Sequence, residues 1–288
     1  MRLTLFKPNQ IRQILVVTLV LLFTSGCRTT IIYNYADWLI AWKVDDFVEL
    51  TDPQEESFKA ELASLFKWHR TQELPKYVVI LDDLTIAISE NNTDDLLSLV
   101  DKIVASGERI KSVAAEKVIV LLNQLSTDQK QQLLTNIEAY QQETHSERLE
   151  NAKTLTEKLN DSDRFDAIED ILGKLTPAQK QRRDQLTKEL NDTLLMRIES
   201  QKRWLSLFRL GVQPQNLTVS ESQLTVLFTE LSSYRSEALI TAQEHNKNLY
   251  QDWSLDLLES MTKRQKDTLL EVIDEYRTDF IKLAKNDD

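Results

Sequence analysis

Four glycines and five prolines are spread over 288 residues, and that scarcity constrains the fold more than any other feature. Strands need tight turns, and tight turns lean on these two residues. With Leu, Glu, Gln, Lys and Ala abundant, the chain reads as long helices with short connections. The expected fold is all-α, an elongated multi-helix bundle of about eight to ten helices. No glycine-rich phosphate loop and no dinucleotide fingerprint is present in the sequence.

Hydrophobic spacing places the helices. Tyr35, Trp38, Leu39 and Trp42 trace one face of a helix over residues 32–50. Thr51-Asp52-Pro53 opens a second, which runs to Arg70, and Pro75 opens a third. Asn91-Asn92-Thr93 is a turn and cap, and Gly107 marks a stop or bend. A helix from Ser126 turns polar beyond Tyr140, so 141–160 is either a solvent-projecting arm or a frayed region. Leu186, Leu190, Leu194 and Ile198 repeat every four residues and predict one helix from Thr176 past Phe208, ended by Gly211 and Pro214. Ser220 to Tyr250 reads as one helix, with a short one over 253–258. Leu269, Ile273, Tyr276 and Phe280 suit a last helix packed on an antiparallel neighbour.

One short pattern recurs four times: Leu50-Thr51-Asp52-Pro53-Gln54, Leu125-Ser126-Thr127-Asp128-Gln129, Leu175-Thr176-Pro177-Ala178-Gln179 and Met261-Thr262-Lys263-Arg264-Gln265. Each is a capping box. The Ser or Thr hydroxyl accepts from the backbone N–H three residues on, and the Gln carbonyl accepts from the cap's own N–H. The preceding Leu or Met is placed to enter the core.

The only cysteine is Cys27. Before it lie Arg2, Lys7 and Arg12 without an acid, then an apolar run from Ile14 to Phe23, then Thr24-Ser25-Gly26. This is the layout of a secretion signal, and the run is too short to span a bilayer as a helix. The expected organisation is a cleaved signal over 1–26, a tether over 27–31 and a helical domain over 32–288. That domain is single, or divided into two sub-bundles meeting near 126–176. The plainer alternatives at the N-terminus are a cleaved signal with a chance cysteine, or an uncleaved anchor helix. Cleavage would remove three bases and no acid, taking the formal charge from −11 to −14. So acidic a surface repels nucleic acid, and no nucleic-acid partner is expected.

Three of five tryptophans, Trp38, Trp42 and Trp68, share a region with Asp37, Asp45, Asp46, His69, Arg70 and Glu73. Carboxylates flanking aromatics could serve glycan cleavage, given one raised and one ordinary pKa. In the structural alternative, the tryptophans are core anchors where two helices meet, and Asp45 or Asp46 pairs with Arg70. The three histidines are His69, His145 and His245, and none has a partner at ligand spacing. His145 and His245 are expected in solvent. No metal, cofactor or catalytic residue is expected.

Ser25-Gly26-Cys27 resembles the cleavage box of bacterial lipoproteins. That resemblance implies thioether attachment of diacylglycerol to Cys27, N-acylation and a membrane anchor. With Arg28 where an inner-membrane retention signal would place aspartate, it implies the periplasmic face of the outer membrane. The four capping boxes resemble the leucine-threonine-x-x-glutamine motif of small periplasmic chaperones, which are all-helical and hold unfolded clients. The stretch from Tyr33-Asn34-Tyr35-Ala36-Asp37-Trp38-Leu39-Ile40 through Trp68-His69-Arg70 and Glu73-Leu74-Pro75 resembles the N-terminal signature of an uncharacterised gamma-proteobacterial lipoprotein family. It implies a helical lipoprotein without an assigned activity. The function expected is non-enzymatic: a lipid-anchored periplasmic scaffold that binds an envelope protein. A cell-wall glycan hydrolase and a client-holding chaperone are the alternatives.

Overall fold

A computed structural model describes residues 33–151, 163–215 and 218–285. The signal, Cys27 and the tether lie outside the described residues, as does the part of 141–160 beyond Asn151. Among the described residues there is no strand, and the chain is all-α as expected. The helices are α1 (Ala36–Asp45), α2 (Asp52–Trp68), α3 (Leu74–Glu90), α4 (Thr93–Gln124), α5 (Thr127–Glu150) and α6 (Asp163–Leu172). They continue as α7 (Pro177–Glu189), α8 (Leu194–Val212), α9 (Glu221–Thr229), α10 (Glu237–Glu259) and α11 (Lys263–Lys285).

A π turn over His69–Glu73 joins α2 to α3 without a break. The sequence reading ends the helix near Arg70 and restarts it at Pro75. The chain instead passes through, because Leu74 N–H reaches five residues back to His69 O. Proline in the next position then falls in the first turn of α3, where its missing N–H costs least. Asn91 takes left-handed backbone at φ 53°, and Asn92 Oδ1 accepts from Asp95 N at 3.3 Å to start α4.

Helix α4 returns antiparallel along the α2–α3 rod. Gln124 Nε2 donates to Ser57 Oγ at 2.8 Å at one end, Lys117 meets Glu61 at 2.7 Å, Arg109 meets Glu73 at 2.8 Å, and Lys102 meets Asp83 at 2.8 Å. Gly107 does not stop it, because one glycine costs about 1 kcal/mol in a helix and the packing on both sides outweighs that. Helices α5 and α8 pair antiparallel through Glu138–Arg209 at 3.0 Å and His145–Gln201 at 2.7 Å. His145 is therefore buried rather than solvated. Helix α7 runs against α10, and α11 runs against α3, where Tyr77 and Phe280 rings lie 5.8 Å apart.

Two helices expected to be continuous are broken. Between α7 and α8 the backbone of Asn191 is clamped by Asn246, whose Oδ1 takes Asn191 N–H at 2.8 Å and whose Nδ2 donates to Asn191 O at 2.9 Å. Asp192 Oδ1 accepts from Leu194 N–H at 2.9 Å and starts α8. Residues 220–250 divide into α9, a 3-10 turn over Leu231–Ser233 and α10, which Ser236 caps through Leu239 N–H at 3.2 Å. The short helix expected over 253–258 is the end of α10.

Among the described residues, three apolar clusters join most of these helices. The first joins Ile119 and Leu122 of α4, Leu134 of α5, Leu205, Phe208 and Val212 of α8, and Leu224 and Leu227 of α9. The second joins α6, α7 and α10 through Leu172, Leu186, Trp253 and Leu257. The third joins α3, α4 and α11 through Ile88, Leu96 and Ile273. Met261 and Leu269 pack on both the second and the third. Each fully buried aliphatic side chain contributes about 1.5–3 kcal/mol. Gly211 has a packing reason, since a Cβ there would lie 2.6 Å from Leu224 Cδ2, inside the first cluster.

Candidate functional site

The four capping boxes meet as two reciprocal pairs. The carbonyl Oε1 of Gln54, Gln129, Gln179 and Gln265 accepts from its own cap N–H, at 2.9, 2.9, 2.8 and 2.9 Å in that order. Ser126, Thr176 and Thr262 hydroxyls accept from the N–H three residues on, while the Thr51 hydroxyl donates to Gln54 Oε1 at 3.1 Å. The amide nitrogens then cross between copies. Gln54 Nε2 donates to Gln129 Oε1 at 3.0 Å and to Gln124 O at 2.7 Å, and Gln129 Nε2 donates to Gln54 Oε1 at 2.7 Å and to Glu49 O at 2.8 Å. Gln179 and Gln265 repeat this at 3.2 and 2.9 Å, reaching Ser260 O and Lys174 O at 3.1 Å each.

The carbonyl engaged is always the one just before the partner's Leu or Met. Both amide protons and the carbonyl of each glutamine are therefore used. The spacing of the repeat announces the caps. It carries no sign of the pairing, which joins residues 75 apart in one pair and 86 apart in the other. Gln179 and Gln265 are buried, whereas Gln54 and Gln129 keep some access to water.

The second construction is the π turn. Glu73 is 0 % exposed and takes a two-pronged contact from Arg109, Nε to Oε1 and Nη2 to Oε2 at 2.8 Å each, with Lys76 Nζ at 2.7 Å. The Arg109 hydrogen bonds hold its carboxyl below the usual range against the opposing effect of burial. One turn earlier, His69 Nδ1 lies 2.8 Å from the Tyr33 hydroxyl, and burial lowers the imidazole pKa. Burial pushes the Tyr33 phenol up to about 12. Arg70 sits over the Tyr33 ring at 5.4 Å and reaches Asn34 Oδ1 at 3.4 Å. Tyr77 stands edge-on to His69 at 5.6 Å. The turn thus gathers the N-terminal segment, α4 and α11 at one point along the rod. As chemistry, it offers a carboxylate that titrates below its usual range and an imidazole whose charged form burial disfavours, an arrangement suited to fixing segments in place.

Of the residues singled out from the sequence, His69, Arg70 and Glu73 come together here, with Trp68 half-buried beside them. Trp38 and Trp42 do not. Their rings stack on each other at 6.5 Å and face solvent, so they are not core anchors. The expected pairing of Asp45 or Asp46 with Arg70 is also corrected. Asp46 pairs with Lys43 at 2.8 Å, and both it and Asp45 are exposed. The physical reason is direction: α1 presents Val44 to the first cluster, and Phe47, just past its C-cap, stands edge-on to Tyr140, which turns the tryptophan stripe outward. Sequence reasoning missed Tyr33, Tyr77 and Arg109.

An apolar groove of about 410 Å³ opens between α8 and α9, lined by Leu207, Leu210, Val226 and Leu227 with Ser222 and Gln223 at its edge. Leu210 and Val226 are exposed there. Among the described residues, no group of three His, Cys, Asp or Glu could hold a metal, and no helix is long and apolar enough to cross a membrane.

These features define an all-helical protein assembled from capped, cross-locked helix pairs. The chain belongs to a family of unknown function, DUF6279, whose model matches residues 46–237, two thirds of its length. That match takes in the π turn, Arg109 and three of the four capping boxes, and it stops short of α11. No curated protein and no solved structure matches the chain.

Proposed function

We propose that this protein is a lipid-anchored helical binding protein of a Gram-negative envelope, held at the periplasmic face of the outer membrane through Cys27. The α8–α9 groove carries the binding half of this reading. Leu210 and Val226 stand open to solvent over a floor that includes buried Leu227, so an apolar side chain or the apolar face of a partner helix fits without opening the core. The lipid half rests on the basic start, the short apolar run and Ser25-Gly26-Cys27. Glycan cleavage finds little support in the geometry, because the acids around Trp38 and Trp42 are exposed and the Arg109 hydrogen bonds shift the buried Glu73 carboxyl below its usual range, away from a proton donor's.

A photo-crosslinking residue at Leu210, in cells producing the lipidated chain, is expected to capture one envelope protein repeatedly. The same residue at exposed Glu199 on α8 should not. Equal labelling at both positions, or none at Leu210, would remove the groove from the account. A client-holding role would appear instead as many unrelated proteins captured at Leu210.

A further inference from the structure

We infer that the aromatic stripe of α1 lies in the headgroup region of the bilayer and sets how the rod sits on the membrane. Tyr35 caps the start of α1, Trp38 and Trp42 follow it at three and four residues, and the three are 62 %, 61 % and 45 % exposed. The two indoles stack with planes 11° apart. Three large aromatics turned to water on a helix of ten residues and its N-cap are an unburied apolar cost. Their chemistry, a flat apolar body with a polar N–H or O–H at its rim, is the one favoured where hydrocarbon meets water.

Chain length chooses the occupant. This inference rests on the lipid anchor proposed above. Only six residue steps separate Cys27 from Tyr33, a reach of at most about 20 Å. Tyr33 is not free to wander, being tied to His69 and Arg70 on the π turn. The membrane surface is therefore brought within that distance of the π turn. Helix α1 starts three residues later and is about 15 Å long, so its outward face lies within reach of the same surface. The contact is aromatic and not ionic. Asp37, Asp45 and Asp46 flank the stripe, and Lys43 is occupied by Asp46 and by the Phe47 and Tyr140 rings at 5.4 and 5.2 Å. Acids beside the stripe would repel anionic headgroups, so attraction must come from the rings.

The test uses the native lipidated chain reconstituted in phosphatidylcholine vesicles whose acyl chains are brominated near the headgroup. Flotation reports the anchor, and tryptophan quenching reports the stripe. The expected result is flotation with loss of about two fifths of the emission, the share of two tryptophans among five. That loss should persist at high salt and vanish in the Trp38→Phe/Trp42→Phe variant, which still floats. Flotation without quenching, or quenching unchanged in the variant, overturns the inference while leaving the anchor standing. Failure to float removes the anchor and the inference with it. Shielding of Trp38 and Trp42 that grows with protein concentration in the absence of vesicles would assign the stripe to a second copy of the chain, and would equally overturn it.

Discussion

Replacing Gln265 with alanine is expected to lower the unfolding free energy by about 3 kcal/mol, read by urea denaturation. The substitution strands the Thr262 N–H, the Lys174 carbonyl and half of the Gln179 amide, in a place where Gln179 itself is 3 % exposed. Buried groups without partners lose the full cost of leaving water. Gln54→Ala removes the same bonds at the other pair, yet water reaches that site, so its loss should be about half as large. The cross-lock also predicts coupling. Gln179→Ala and Gln265→Ala together should cost at least about 0.5 kcal/mol less than the sum of the two alone. Strict additivity would mean that the two amides act only as separate caps.

The second large effect belongs to Glu73. Glu73→Gln should destabilise the protein by about 3 kcal/mol at neutral pH, because it leaves Arg109 and Lys76 without their shared anion. The figure sits at the low end for a broken buried pair, since both cations keep access to water and can hydrate. The pH dependence has a fixed sign. Glu73 titrates lower in the folded chain than its ordinary value of 4.5, so the unfolded chain binds its proton first. Its contribution is complete above about pH 4.5 and is lost as pH falls through the lower, folded value. Denaturation curves on acidification should therefore show a loss in the native chain that the Glu73→Gln variant lacks. Parallel curves for both proteins would contradict the buried contact.

The legibility of the chain differs between local and distant features. Helix starts were plain wherever a hydroxyl stood three residues before glutamine, because a cap is written within one turn of chain. Helix ends were harder. Leu186, Leu190, Leu194 and Ile198 keep a perfect four-residue period across a real break, because the clamp that opens the backbone there is Asn246, 55 residues away from Asn191. Gly107 misled in the other direction: it disfavours a helix locally and is overridden by packing along α4. Pro75 does stand in the first turn of α3 as read, but the π turn before it leaves no gap between the two helices.

The site divides in the same way. His69, Arg70 and Glu73 fall within five residues and were visible as a cluster. Their partners were not, since Tyr33 and Arg109 each sit 36 residues from the side chain they bind. The tryptophan stripe of α1 was visible too, but its direction was not. A helix that is apolar on both sides does not say which side turns inward; that is decided by Val44 in its last turn and Phe47 just beyond it.

Membrane attachment, and the seating of the α1 aromatics with it, depends on what happens at residue 27. Intact-mass and peptide mass spectrometry of the native protein from membranes is expected to find a chain that begins at Cys27, with a diacylglyceryl thioether on its sulfur and an acylated amine. A chain retaining residues 1–26, or one whose Cys27 thiol is bare, would contradict the account.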